Sequence, residues 1–320
     1  MTSTATVMGL VALLLAGATA GPWALGRLGP TLARYPRTGI AAWTAGAALW
    51  VLGLLALGPL VGWVAGGPGL PGAAGAVCRR CLEASNPFVA TAAYANVPPA
   101  VPLLATAALG LSVVAVLLVT ARRRRRDTRA HLELLGATAV RGTVGGERVW
   151  LVPDAEPAAY TLPGAGVVLS RGTVDALDGP QLAAVLAHEK AHLAGRHHLV
   201  LAVLGSLRTI FGWVPLLRCA RGAVAAYAEM AADDAALRSH GTRALAGALL
   251  TLHRPGVLAT AHSLHAAATL VPSRITRLTA GTGAPDRLTG ALVACYLLAT
   301  AAAVALVAAP YATTVLVGAC

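Results

Sequence analysis

Charged residues in this chain are gathered into a few stretches, and the intervals between them are almost wholly apolar. No Asp, Glu, Lys or Arg occurs in 1–26, 38–78, 84–121 or 288–320. Each interval holds an apolar run of about 20 residues, the length an α-helix needs to cross a bilayer. Spans are expected at 5–25, 40–65, 101–121 and 289–309. In the first window Ala18-Thr19-Ala20 resembles a signal-peptide cleavage site, but no basic residue precedes the apolar run, so a retained span is the better reading.

The pattern changes between the third and fourth spans. Twelve of the thirteen acidic residues lie between Asp127 and Asp286. That block is long enough for one compact domain with its own core. Short strands are expected at 149–152, 160–162 and 167–169. A helix is expected after Asp178-Gly179-Pro180, with Leu182, Val185, Leu186 and Leu193 as its apolar stripe. The fold class is therefore a mainly α membrane protein with four transmembrane helices and a cytoplasmic α+β domain between helices three and four. Residues 1–126 form a three-helix anchor with an outer loop at 67–100 and a basic stop at 122–126. Residues 127–286 form the cytoplasmic domain, and 287–320 the fourth helix with a short outer tail.

Composition agrees with a bilayer partner. The chain is 57% hydrophobic, with mean hydropathy +0.69 and only 12% charged residues, far from soluble norms. Arg27, Arg34 and Arg37 lie in the first loop without an acid, and Arg122 to Arg126 close the third span. The second loop mixes Arg79, Arg80 and Glu83. The positive-inside rule puts the first loop and the acidic block in the cytoplasm and both termini outside. The net charge of +12 reads as topology and headgroup contact. A direct nucleic-acid patch at Arg122–Arg126 is the weaker alternative. Lys190 is the lone lysine beside abundant Ala, Gly and Arg, which points to a GC-rich bacterial genome; with the four spans, the expected place is the bacterial cell membrane, as a multi-pass protein.

Cysteine usage adds little. Cys219, Cys295 and Cys320 are isolated, and Cys78-Arg79-Arg80-Cys81 falls in the expected outer loop. A local disulfide or free thiols fit it better than a metal site, because two ligands do not complete one.

The chemistry is carried by His188-Glu189-Lys190-Ala191-His192. On a helix, residues four apart share a face. Two imidazoles at that spacing can hold one Zn²⁺ per chain, and the glutamate between them reaches water held there. A catalytic zinc needs a third protein ligand. Glu229, in the helix-forming block Ala226–Asp234, can supply it, and Asp233 one turn later can orient a ligand imidazole through its free N–H. A rival uses Gly195 and His198, whose offsets fit the metzincin spacing. That class also needs a methionine turn, and Met230 lies in an Ala-rich helical block. His197 and His198 then read as interfacial or capping residues. The apolar stretch Leu199–Leu217 is interrupted by Arg208, Gly212 and Pro215. A crossing there would strand Glu229 on the opposite side of the bilayer from His188 and His192, so this stretch must be buried, interfacial or re-entrant.

The run Leu169-Ser170-Arg171-Gly172-Thr173, then Gln181 through His192 and Arg196-His197-His198, resembles the core of membrane gluzincins, which include HtpX and the CAAX prenyl protease. Glu229-x-x-x-Asp233 and Ser273-Arg274-Ile275-Thr276-Arg277-Leu278 match as well. The arrangement of helices and block is most similar to the BlaR/MecR antirepressor group, metallopeptidase family 56. The resemblance implies a zinc metalloendopeptidase with His188, His192 and Glu229 on zinc, Glu189 as base and Asp233 behind the ligands. Arg274 and Arg277 are its candidates for substrate or oxyanion contact. It implies regulatory cleavage of a cytosolic protein, a winged-helix transcriptional repressor, in signal transduction. The penicillin-binding domain that follows the fourth helix in antibiotic-sensing members has no counterpart before Cys320, so β-lactam sensing is unsupported. HtpX-like quality control of membrane proteins is the alternative in the same chemical class. A non-catalytic membrane receptor or scaffold with a retained metal site is the third reading.

Overall fold

The computed structural model describes residues 2–64 and 100–252, together with Arg274, Arg277 and Leu298. The chain begins with α1 (Thr2–Arg27), a short α2 (Gly29–Arg34) and α3 (Pro36–Val64). After the undescribed stretch comes α4 (Ala100–Thr138). Three segments are long and apolar enough to cross a membrane, Val7–Arg27, Pro36–Val61 and Val101–Thr138. They overlap the first three expected spans. The expected fourth span and the Cys78/Cys81 pair lie outside the described residues.

The five arginines at 122–126 do not end the third helix. α4 runs on to Thr138, 39 residues in all, or about 58 Å at 1.5 Å per residue. Arginine is a strong helix former, so charge ends the apolar run without ending the helix. The polar extension projects from the span, and its His131 bonds the Tyr160 hydroxyl at 2.8 Å.

Strands β1 (Val140–Val144), β2 (Glu147–Val152), β3 (Ala159–Leu162) and β4 (Gly166–Ser170) form one mixed sheet in the order β1-β2-β4-β3. β1 and β2 are an antiparallel hairpin, β2 and β4 run parallel, and β3 returns antiparallel beside β4 at the sheet edge. The expected strands at 149–152, 160–162 and 167–169 are present. β1 was not anticipated, since Arg141, Gly142 and Thr143 break apolar alternation; it earns its place by pairing with β2.

Helices α5 (Arg171–Ala176), α6 (Gly179–Ala194), α7 (His197–Phe211) and α8 (Pro215–Leu252) follow. α6 lies between the sheet and α8. Leu182, Val185 and Leu186 meet Val149, Val167 and Leu169 of the sheet, while Ala184 meets Ala236, Ala244 and Leu245 of α8. α8 can do this because it breaks at Gly241, where φ is +78°. A side chain rarely adopts that conformation. The chain beyond it turns back along α6, placing Ala248 in the sheet-side core.

A second, larger core joins the apolar helices to α7 and α8. Trp50, Leu60 and Val113 share it with Leu204, Phe211, Leu216, Leu217, Val224 and Tyr227. The stretch Leu199–Leu217 is thus two helical arms and a bend at Gly212–Val214, packed against α1 and α3.

α3 and α4 touch closely at Gly58, where an added Cβ would lie 2.3 Å from Thr106 and 2.5 Å from the Pro102 carbonyl oxygen. Small residues permit such approach between apolar helices. Gly58→Val is expected to cost about 1–3 kcal/mol by forcing the helices apart. Thermal unfolding in detergent checks this, with Gly9→Ala, which meets nothing within 4 Å, as the unaffected control.

Candidate metal centre

α6 starts where its sequence says it should. The Asp178 carboxylate accepts from the Gln181 backbone N–H at 2.8 Å, and the Gln181 side chain accepts from the Asp178 N–H, forming a capping box. With the start fixed, His188 and His192 fall on one face, their Nε2 atoms 3.2 Å apart. α8 crosses this face and brings Glu229 to it. Glu229 oxygens stand 3.6 Å from His188 Nε2 and 3.5 Å from His192 Nε2.

These spacings fit a metal. Two ligands about 2.05 Å from a tetrahedral Zn²⁺ are separated by about 3.3 Å, close to all three edges of this triangle. Among the described residues, His188, His192 and Glu229 form the group whose ligand atoms lie within 4.8 Å of one another. His198 is not in that group, and Met230 is in the body of α8. Three protein ligands leave a fourth position for water or substrate.

Behind the triangle lies a buried ionic network. Asp233 has no exposed surface, and its Oδ1 sits 3.1 Å from His188 Nδ1. Arg274 grips the same carboxylate with two bonds, Nε to Oδ2 at 2.7 Å and Nη2 to Oδ1 at 2.5 Å. Its Nη1 is 3.3 Å from Glu229. Arg277 faces elsewhere: it donates to Asp234 at 2.6 Å and to the Ala33 carbonyl, at the end of α2, at 2.8 Å. Arg277 therefore ties the metal-side helix to the loop between the first two apolar helices.

Charge coupling sets the protonation of the site. Burial alone would lower the His188 imidazole, but Asp233 and Glu229 overcome it and raise it to about 9. Burial, joined by the neighbouring His188 charge, lowers His192 to about 4. Burial would raise Glu229, yet His188, Arg274 and His192 hold it down to about 2. Asp233 is likewise held well below the usual carboxylate range, against burial, by Arg274 and His188. Glu189 goes the other way: burial pushes it up to about 7, partly offset by His188 and Arg274. Without metal, the site thus joins a cationic His188, a neutral His192 and an anionic Glu229 to one carboxyl, Glu189, poised near neutrality as general acid–base chemistry requires.

His197, expected as an interfacial or capping residue, is instead a neighbour of the metal-ligand candidates. His197, at the start of α7, places its Nδ1 3.0 Å from His192 Nδ1. Its signal in the sequence was only adjacency. The turn that aims it depends on Arg196, a non-glycine residue with φ of +49°.

Residues 124–280 match the family model described as peptidase family M48. Comparison with curated proteins and with solved structures gives no match. The family match and the His/His/Glu group support a metallopeptidase, a peptide-bond hydrolase, and the apolar helices support a membrane-associated one.

Asp233 is expected to be a keystone of stability as well as of geometry. Asp233→Ala leaves Arg274 buried beside Glu229 alone and should cost about 3–5 kcal/mol. Denaturant unfolding of the metal-free protein measures it; a double variant with Arg274→Met should recover part of the loss.

Proposed function

We propose that this chain is an integral-membrane zinc metalloendopeptidase with a cytoplasmic active site and both termini outside. The observation that carries it is the His188–His192–Glu229 triangle with Glu189 beside it. His188, His192 and Glu229 hold the ion. When bound there, Zn²⁺ supplies Lewis acidity that polarises a peptide carbonyl and makes water nucleophilic near neutral pH. Glu189 takes the proton of the attacking water and returns it to the leaving amine. Its elevated pKa suits both halves of that task. Asp233 fixes the His188 ring from behind, and Arg274 fixes Asp233. An extended substrate segment adds to β3, the edge strand beside α6, by main-chain pairing.

The organisation is a three-helix anchor (1–126), a protease block (127–286) and a closing helix (287–320). The match over 124–280 supports the central block. The biological reading is regulatory cleavage of a cytosolic repressor-type protein, supported by the resemblance to the antirepressor group. Proteolysis of membrane proteins is the second reading. It is favoured by the bonds from Arg277 to Asp234 and Ala33, which tie α8, the helix of Glu229, to α2 beside the apolar helices.

Glu189→Gln should keep one equivalent of zinc and lose about 10²- to 10⁴-fold in cleavage rate. Co-expression of wild type or Glu189→Gln with a candidate repressor or a membrane protein, followed by mass mapping of fragments, tests both class and substrate. Equal cleavage by the two proteins would remove Glu189 as base.

Zinc binding carries a pH signature. Without metal, His188 keeps a proton up to about pH 9, and a ligand imidazole must be neutral. Apparent affinity should therefore rise with pH, about tenfold per unit from pH 7 toward 9, and level off above. Calorimetric titration in buffers of different ionisation heat checks this through the proton released.

A further inference from the structure

We propose that the bend between α7 and α8 is a re-entrant hairpin inserted into the acyl chains of the leaflet on the protease side. The inference rests on α1 and α3 crossing the membrane. The two arms are antiparallel: a Cβ on Gly205 would lie 3.6 Å from Arg221 Nε, and Gly212–Val214 form the apex between α7 and α8. Three contacts give the hairpin's height along the spans. Tyr227 lies on Gly39, near the start of α3, where a Cβ would meet its ring at 2.8 Å. Leu216 reaches Gly21 of α1 in the same way, at 3.6 Å. Phe211 packs edge-on against Trp50 at 5.7 Å between ring centroids. Trp50 lies roughly 21 Å along α3 from Pro36 at 1.5 Å per residue, and hydrocarbon of one leaflet is about 15 Å deep. The hairpin therefore climbs beside the spans well into the region they place in lipid.

Its outer surface suits that environment. Trp213 at the apex is 74% exposed, and Leu199 and Val203 on the α7 arm are 51% and 43% exposed. Leu13 and Leu15 of α1, which the spans place in lipid, are exposed in the same way. Exposed Arg208 and Arg218 lie about one turn below the apex, and Arg221 two turns below. Long arginine side chains can extend toward headgroup phosphates from such positions. The opposite end of the hairpin carries His197 and Glu229, so insertion sets the metal centre at the membrane surface.

The test uses the full chain with native cysteines replaced by serine, carrying an environment-sensitive fluorophore at Trp213→Cys or, on the shaft, Val203→Cys. Leu15→Cys in α1 is the membrane control and Arg148→Cys in the sheet the aqueous one. In phosphatidylcholine–phosphatidylglycerol vesicles, both hairpin probes should be quenched at least about twofold by acyl-chain doxyl lipids, as Leu15→Cys is. Quenching at Leu15→Cys but not at the hairpin overturns the proposal while leaving the spans intact. An apolar emission without lipid quenching assigns the surface to a second protein chain and also overturns it. No quenching at any probe removes the membrane reading itself.

A separate observation assigns His197 as the positioning residue of His192. With His192 Nε2 turned to the metal, its Nδ1–H can donate to His197 Nδ1, 3.0 Å away. His197 is buried, and Gly195 makes room for it: a Cβ there would sit 2.3 Å from His197 Nε2. His197→Ala should weaken zinc about 10- to 100-fold, with His197→Gln, whose amide oxygen can accept the same bond, recovering most of it. Gly195→Ala, which pushes the ring aside, should also weaken zinc. Zinc competition with a fluorescent chelator reads the affinity without any substrate. Wild-type affinity in His197→Ala, or a Gln variant no better than Ala, overturns the assignment.

Discussion

The arrangement hangs on one buried carboxylate. Asp233 has no exposed surface and is shared between His188 and Arg274. An isolated carboxylate in that position would face a desolvation penalty of several kcal/mol. It is tolerated because cationic groups meet it from two sides, and that requirement fixes where three chain segments must lie. α6 must present His188, α8 must present Asp233 and with it Glu229 one turn earlier, and the segment bearing Arg274 must close over both. The same placement brings ligand atoms of His188, His192 and Glu229 within 4.8 Å of one another.

The same helix serves two cores. The early part of α8 packs with α1 and α3 through Leu216, Val224 and Tyr227. The part beyond Gly241 packs on α6 and the sheet through Leu245 and Ala248. Glu229 and Asp233 sit between these regions. Arg277 adds a direct link, since its guanidinium bonds both Asp234 and the Ala33 carbonyl. A shift of α2 against α8 would be felt one residue from Asp233. The candidate site is therefore mechanically joined to the apolar bundle.

Local signals made much of this legible in the sequence. Charge-free windows marked the three described helices that are long and apolar enough to cross a membrane, because hydrocarbon excludes ionised side chains regardless of packing. Asp178-Gly179-Pro180 marked the start of α6, because a helix start depends on neighbours in sequence; the capping box to Gln181 is what the structure adds. The i,i+4 histidines and the Glu229/Asp233 pair were visible for the same reason. What escaped depends on long-range contact. β1 lacks an apolar pattern of its own and exists by pairing with β2. The 122–138 extension of α4 is polar helix, which a hydropathy reading sees as the end of a span. Arg274 was noted as a possible substrate contact, while its bidentate bond to Asp233, 41 residues away, has no sequence signature at all.

His197 shows how a local rule and a tertiary one can meet. Gly195, Arg196 and His197 follow α6 as an ordinary helix ending. The Gly195 N–H bonds the Ala191 carbonyl and the chain then turns through a left-handed Arg196. That turn starts α7 and, by the same geometry, swings the His197 ring back beneath the residue that lacks a Cβ. A side chain at Gly195 would satisfy the backbone equally well, since its φ of −75° is open to any residue. What forbids it is the imidazole behind His192. The glycine is thus explained by the site and not by the helix end, and the ending of α6, the direction of α7 and the support of His192 are set by the same three residues.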